Sequence, residues 1–331
     1  MSGPHDEVSR IRSKRAARFQ AYREHGPWGA FVLATAQGAI EEINGLKDSE
    51  GRRLVATRRG EYRNWDPDVF GVDEAAEGYI FDSLRQFGET LPGAFKANVL
   101  SEEAGVHTLD LGGPEVVVIS DPFDGSLLYR HDLGAFYYTT VSVWDADGKH
   151  LATAVGDCVN NRVDFAAGDS VFTAGYSDDG LTEIRPAAMT KTTELADVTM
   201  ETYLMKPKFL YRESDDAYSF VETFKPLLAQ VKFISGNGGP SGFTDVAMGR
   251  IDLYLAHKQP LIDVFSGIGV AMTAGAVITT FDGDPVGRSR DIDSRHYIVC
   301  TSNRALHQKV LACIADIKKR TGLEWRKVPR T

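Results

Sequence analysis

Apolar residues recur at helical spacing at Trp28, Val32, Ala36, Ala39 and Ile43. They follow a break at His25-Gly26-Pro27 and predict a helix with one buried stripe. Upstream, residues 1–14 are polar and read as a loose lead-in to a helical stretch from Arg15. Leu46 to Asn64 is polar and rich in Arg and Gly, and reads as an exposed loop or hairpin. Ala76, Ile80, Leu84 and Phe87 predict a second helix, with Asp73 placed as its N-cap. The period then shortens to two. Ala94 to Leu100 predicts a short strand ending in Ser101-Glu102-Glu103-Ala104-Gly105. Glu115 to Ser120 holds four consecutive β-branched residues and predicts a buried strand. Ala135 to Trp144, Leu151 to Val159 and Val163 to Thr173 alternate, with Asp-Gly or Asn-Asn turns between them, as an antiparallel meander does. This half is α+β, helices on a largely antiparallel sheet.

The second half alternates differently. Strands are predicted at Val198 to Leu204, Val231 to Ser235, Ile251 to Ala256, Ala276 to Thr280 and His296 to Thr301. Between and after them come helices near Ser214 to Gln230, Ser241 to Met248, Val264 to Ala274 and Asn303 to Arg320. That alternation predicts an α/β unit. A Thr- and Lys-rich stretch near residue 190 divides the chain into an α+β domain, 1–190, and an α/β domain, 191–331. No internal repeat or low-complexity segment interrupts either.

The 331-residue length suits one large layered unit or two domains, and 43% apolar with 25% charged residues is ordinary for a globular enzyme. The net charge of -9, with no strongly basic run, argues against a nucleic-acid polymer as partner and suits a protein that holds cations. Cys158, Cys300 and Cys313 are far apart and odd in number, and read as reduced core residues. No apolar run is long enough to cross a bilayer and the first residues lack a hydrophobic core, so no membrane is expected and the expected location is cytoplasmic.

The candidate chemistry lies in Asp121-Pro122-Phe123-Asp124-Gly125-Ser126, at the exit of the strand Glu115 to Ser120. Pro122 lacks an N–H, so the ladder is expected to stop there and the chain to turn. Asp121 and Asp124 would then converge, and two close carboxylates favour a hard cation between them. Gly125 permits close backbone approach to a ligand, and Ser126 offers a hydroxyl where a helix or turn can begin. Asp, Pro, Gly and Ser are also the commonest turn residues, so both a metal seat and a plain turn fit these six positions. The Glu102-Glu103 pair repeats the same setting at another strand end. Asp263 precedes the small-residue run from Val264 to Gly275, either as an N-cap or as a third contributor of negative charge.

Taken in order, Glu102-Glu103, the run from Asp121 to Ser126 and Asp263 heading a Gly/Ala-rich helix resemble the inositol monophosphatase and fructose-1,6-bisphosphatase superfamily of magnesium-dependent, lithium-sensitive phosphatases. The resemblance runs from about Trp28 to about Asp282. It implies a layered αβαβα sandwich. It implies one metal surrounded by Glu102, Asp121, the Phe123 carbonyl and Ser126, and a second by Asp121, Asp124 and Asp263. Asp124, Gly125 and Ser126 would hold the phosphate. Asp73 would lie near Ser126, the pair orienting the attacking water, so that Asp73, Glu102 and Ser126 are the implied catalytic residues. Tyr203, Lys206, Lys208, Tyr211 and Arg212 lie where the family often places substrate contacts, Lys206 and Arg212 being the candidates. Three positions depart from the pattern. Ser126 stands where threonine is common, Ile262 where tryptophan is, and Ala256 where inositol monophosphatases carry the glutamate that binds the inositol ring.

The resemblance thus implies a phosphoric monoester hydrolase using two or three Mg²⁺ ions, with Mn²⁺ as a substitute, because only oxygen ligands are present. The expected substrate is a small phosphorylated sugar, polyol or nucleotide-like molecule attacked by metal-activated water, in a homodimer. Ala256 argues against inositol phosphate. A metal-binding homologue without turnover, acting as a regulatory or scaffold protein, is the competing expectation. A nucleotide kinase lacks its Gly-rich Lys-Ser/Thr loop.

Overall fold

The computed structural model describes residues 4–58, 67–90, 94–177, 180–205, 219–287 and 289–324. The chain divides into two compact units, Met1–Arg185 and Pro186–Thr331.

The first unit opens with α1 (Pro4–Ala21), a short 3₁₀ turn (Arg23–His25), α2 (Gly26–Gly45) and the one-turn α3 (Asp48–Gly51). The lead-in expected to be loose is helical from Pro4, a residue whose fixed φ suits a first helical turn. A hairpin of β1 (Leu54–Thr57) and β2 (Asp68–Phe70) leads into α4 (Gly71–Thr90). Then follow β3 (Lys96–Ser101), β4 (Gly105–Asp110), β5 (Glu115–Asp124), the short α5 (Ser126–Arg130), β6 (Tyr138–Asp145), β7 (His150–Asp157), β8 (Arg162–Ala167), β9 (Ser170–Ser177) and β10 (Gly180–Pro186). Among the described residues β3 to β10 form one sheet in the order β10-β9-β8-β7-β6-β5-β3-β4. Every described pairing in it is antiparallel except β3 with β5, which run parallel.

Helix α2 packs on β6, β7 and β8, and α4 on β5. Phe31, Val32, Leu33, Phe87, Val118, Val141 and Phe165 meet there in the principal core of the unit. Their burial stabilises by roughly 1.5–3 kcal/mol for each large side chain, which is what fixes both helices on the sheet. A smaller apolar cluster joins Ile40, Phe70, Val72, Ala76 and Phe123, and so ties the start of α4 to the end of β5.

The second unit holds β11 (Thr199–Glu201), α6 (Phe220–Leu228), β12 (Phe233–Ser235), α7 (Pro240–Ala247), β13 (Leu253–Pro260), α8 (Leu261–Phe265), α9 (Ile268–Ala274), β14 (Val277–Thr280), β15 (Arg295–Thr301) and α10 (Arg304–Thr321). Its sheet order is β12-β11-β13-β15-β14, with β11 parallel to β12 and β13, and β15 antiparallel to β13 and β14. Leu253 and Leu255 join Phe224, Leu306, Val310 and Ile314 in one core, whereas Tyr254, on the opposite pleat, sits over Gly242 and against Phe243 of α7. Helices therefore cover both faces of the first half of β13, which explains its apolar run over 253–256.

The single helix expected over Val264 to Ala274 is two helices, α8 and α9, separated at Ser266 and Gly267. A Cβ at Gly267 would lie 2.3 Å from the Pro240 carbonyl, so this close approach of backbone to backbone sets the break. The strand expected over Val163 to Thr173 is likewise two, β8 and β9, turning at Gly168 with φ +55.

Candidate metal and phosphate site

The site is built on the parallel pair β3 and β5. Their register sets Ser101 opposite Ser120, so the next residues, Glu102 and Asp121, leave the sheet side by side at the carboxyl ends of both strands. The Glu102 N–H donates to the Ser120 carbonyl at 3.2 Å and continues the ladder one step further. Asp121 is 1% exposed and Glu102 half-buried, and a carboxylate oxygen of each lies within 4.8 Å of the other. Two carboxylates at that separation, one of them buried, repel unless a cation is shared between them. Both offer hard oxygen donors, the ligand type of Mg²⁺ and Mn²⁺, and the donor set fits such an ion.

The chain does not turn at Pro122 as expected. Strand β5 continues to Asp124, and pairing with β6 resumes there, Asp121 facing Thr140 and Asp124 facing Tyr138. The register shift between them is a β-bulge, which absorbs the proline without ending the strand. Beyond Ser120 the ladder to β3 has ended, so among the described residues β5 is paired there only with β6. The Asp121 N–H donates to the Thr140 hydroxyl at 3.0 Å, and the Ser120 hydroxyl donates to the Thr140 carbonyl at 2.7 Å. The Phe123 ring turns into an aromatic group with Tyr129 and Tyr137, at centroid distances of 5.4 and 5.7 Å.

Gly125 follows with φ +109, and a Cβ there would lie 2.4 Å from the Phe136 carbonyl. The glycine is required by its own left-handed backbone and by Phe136, whatever it does for a ligand. Ser126 is the first residue of α5 and is buried.

Asp73 is fully buried, in the first turn of α4. It is not the N-cap: its Oδ2 accepts the Phe70 N–H at 2.7 Å, the backward half of a capping box. Val72, next to it, shares the small apolar cluster with Phe123, which brings the start of α4 to the end of β5.

Two residues that sequence reasoning missed, Glu77 and Arg58, hold the Glu102 turn. Glu77, one helical turn after Asp73 on α4, accepts the Ser101 hydroxyl at 2.6 Å. Burial raises the Glu77 pKa, and the Ser101 hydroxyl, the Ala104 backbone N–H, Arg58 and His107 act against that shift. Arg58, just after β1, donates to the Glu103 carbonyl. The spacing of four between Asp73 and Glu77 was the available signal, since it sets both acids on one helical face.

In the second unit, Asp263 lies in the first turn of α8 and is half-buried. Ala256 is fully buried on β13, paired with Ile298, on the same pleat as Tyr254. Asp252, the strand-end acid upstream, accepts the Thr199 N–H at 2.7 Å and the Thr190 hydroxyl, a structural clamp at the start of β13. Lys206, Lys208, Tyr211 and Arg212 lie outside the described residues. The three cysteines are free thiols, with burial raising the pKa of each. Among the described residues, no helix is long and apolar enough to cross a membrane.

The solved structures similar to this chain share its architecture. The extragenic suppressor protein SuhB of Bartonella henselae matches at 19% identity with a TM-score of 0.65, over 86% of this chain and 96% of that one. The inositol monophosphatase of Anabaena matches at 18% identity and a TM-score of 0.64, over 87% and 95%. SuhB of Mycobacterium tuberculosis matches at 21% identity and a TM-score of 0.61, over 90% and 98%. The chain has the inositol monophosphatase fold. No protein-family model matches the sequence. A curated relative, the bifunctional NADP phosphatase/NAD kinase of Methanococcus maripaludis, is 22% identical over 275 residues. The match takes in 78% of this chain and 43% of that relative, so the chain spans under half its length.

Proposed function

We propose that this protein is a Mg²⁺-dependent phosphatase that hydrolyses a phosphomonoester of a small sugar, polyol or nucleotide-like molecule. The observation that carries the proposal is the pairing of Glu102 and Asp121 at the ends of two parallel strands, with carboxylate oxygens within 4.8 Å, in a chain of this fold. Glu102, Asp121, Asp124, the Phe123 carbonyl and Ser126 would hold the ions, and the sequence resemblance adds Asp263. Bound Mg²⁺ would supply charge neutralisation on the phosphoryl oxygens, a nucleophile at neutral pH and stabilisation of the leaving alkoxide.

The chain's own residues do the rest. The β3–β5 ladder presents Glu102 and Asp121 already aligned, so little ordering remains when an ion binds. The Asp73 carboxylate, fixed by the Phe70 N–H, and the Ser126 hydroxyl would orient the attacking water. Gly125 and Ser126 would meet the phosphate. Inhibition by millimolar Li⁺ and a homodimer belong to the same proposal, on the family resemblance alone.

Ala256 bears on the substrate. A hydroxyl held by a carboxylate gains a charge-assisted hydrogen bond of about 1.5–3 kcal/mol, and alanine supplies none. Inositol 1-phosphate is therefore expected to be a poor substrate. The curated relative named as an NADP phosphatase places a dinucleotide phosphomonoester among the compounds to try first. The test compares kcat/KM for NADP⁺, fructose 1,6-bisphosphate and inositol 1-phosphate, in wild type and Ala256→Glu. A wild type that prefers inositol 1-phosphate contradicts the reading of Ala256. Phosphate release from none of a broad panel contradicts the phosphatase.

A further inference from the structure

We infer that Glu77 is a positioning residue for the metal ligand Glu102, acting through the turn Ser101–Gly105. The inference rests on the metal site proposed above, and assigns a role to a residue outside its ligand set. Glu102 leaves β3 at the first position beyond the Ser101–Ser120 pair, and its own N–H bond to Ser120 holds only one side of the turn. The other side is held from α4. Glu77 Oε1 accepts the Ser101 hydroxyl at 2.6 Å, at the residue that leads into Glu102, and the Ala104 backbone N–H favours the ionised form of the same carboxylate. Ser101 and Glu103 are buried, and Arg58 donates to the Glu103 carbonyl, which ties the β1–β2 hairpin to the same turn.

With Ser101 bonded to Glu77 and the Glu103 carbonyl bonded to Arg58, the residues on either side of Glu102 are both held, and Glu102 has little freedom to rotate away from Asp121. Helix α4 carries Glu77 one turn after Asp73. The helix that presents Asp73 therefore also sets the direction of Glu102. Partners that orient a metal ligand without touching the metal typically change affinity about 10- to 100-fold when removed.

The experiment measures Mn²⁺ binding by electron paramagnetic resonance, without substrate, in wild type, Glu77→Ala and Glu77→Gln, alongside the Mg²⁺ dependence of phosphate release. Glu77→Ala is expected to raise the Mn²⁺ Kd about tenfold and to leave kcat at saturating Mg²⁺ within about threefold. Glu77→Gln keeps an oxygen acceptor for the Ser101 hydroxyl, and is expected to recover most of the affinity. If Glu77→Ala does not fold, Ser101→Ala removes the bond from its other end and should also raise the Kd. An unchanged Kd in the alanine variants, even with a lower Tm, overturns the positioning role while the metal site stands. A wild type that binds no Mn²⁺ overturns the metal site and this inference together.

Discussion

Glu102 donates its backbone N–H to the Ser120 carbonyl at 3.2 Å, and Ser120 is the residue before Asp121. One hydrogen bond thus joins the two strand ends from which the acids project, and the carboxylates meet because the backbones do. In a parallel pair neighbouring residues leave the sheet in the same direction, so both side chains reach the same end of it. The remaining pairings described in this sheet are antiparallel, and they place no second pair of strand ends together in this way.

Gly125→Ala should destabilise the first unit. The new Cβ would sit 2.4 Å from the Phe136 carbonyl on a backbone with φ +109. The expected loss is about 1–3 kcal/mol, read from the denaturant midpoint. A midpoint equal to wild type would mean that the segment from Gly125 to Phe136 rearranges freely.

Asp73→Asn separates the capping role of this residue from its proposed role toward water. The amide oxygen can still accept the Phe70 N–H, so stability should change by less than about 1 kcal/mol. The kcat should fall by about tenfold or more, because an amide orients and accepts a proton from water poorly. Wild-type kcat in this variant would leave Asp73 as a helix-capping residue only.

Stability should fall with acidification through two histidines, His150 half-buried and His307 buried. Burial lowers the pKa of His150 and of His307 from 6.5 to about 4. The His307 ring lies between the hydroxyls of Thr279 and Thr301, at 2.9 and 3.0 Å. Because the folded pKa values lie below the unfolded ones, the unfolded chain takes up protons first. The stabilisation is complete above pH 6.5 and is lost as pH falls toward 4. Each histidine contributes up to about 1.4 kcal/mol per pH unit in that window. Urea midpoints should drop between about pH 7 and about pH 5, and His307→Gln should narrow the difference. Equal midpoints at the two pH values would contradict neutral burial of these rings.

Much of this architecture is legible in the amino-acid pattern, for physical reasons that differ by element. The core helices α2 and α4 and the strand β5 announce themselves because their packing faces demand apolar residues at fixed spacing. Strands β4 and β10 are not legible. Both lie at sheet edges, with Val106 and Ile184 exposed, so burial imposes no strong alternation on them. The division between α8 and α9 is hidden for the opposite reason. A run of Gly, Ala, Val and Ile suits a buried helix, and only the contact of Gly267 with Pro240, distant in sequence, breaks it.

At the site, the acids are legible one by one, whereas their support is not. Pro122 suggests a chain stop, and the bulge that lets β5 pass it depends on β6. Glu77 looks like an ordinary surface glutamate on a helix until the Ser101 hydroxyl is seen to bond to it.

The most direct test of the metal-centred phosphatase is Asp121→Asn, with Mn²⁺ binding and Mg²⁺-dependent phosphate release measured on the same preparation. The substitution keeps the buried volume and removes the charge that Glu102 faces within 4.8 Å. Circular dichroism and Tm should remain near wild type, Mn²⁺ binding should weaken, and kcat/KM should fall at least about a hundredfold. A folded Asp121→Asn protein that binds Mn²⁺ and releases phosphate like wild type would contradict the assignment at its centre.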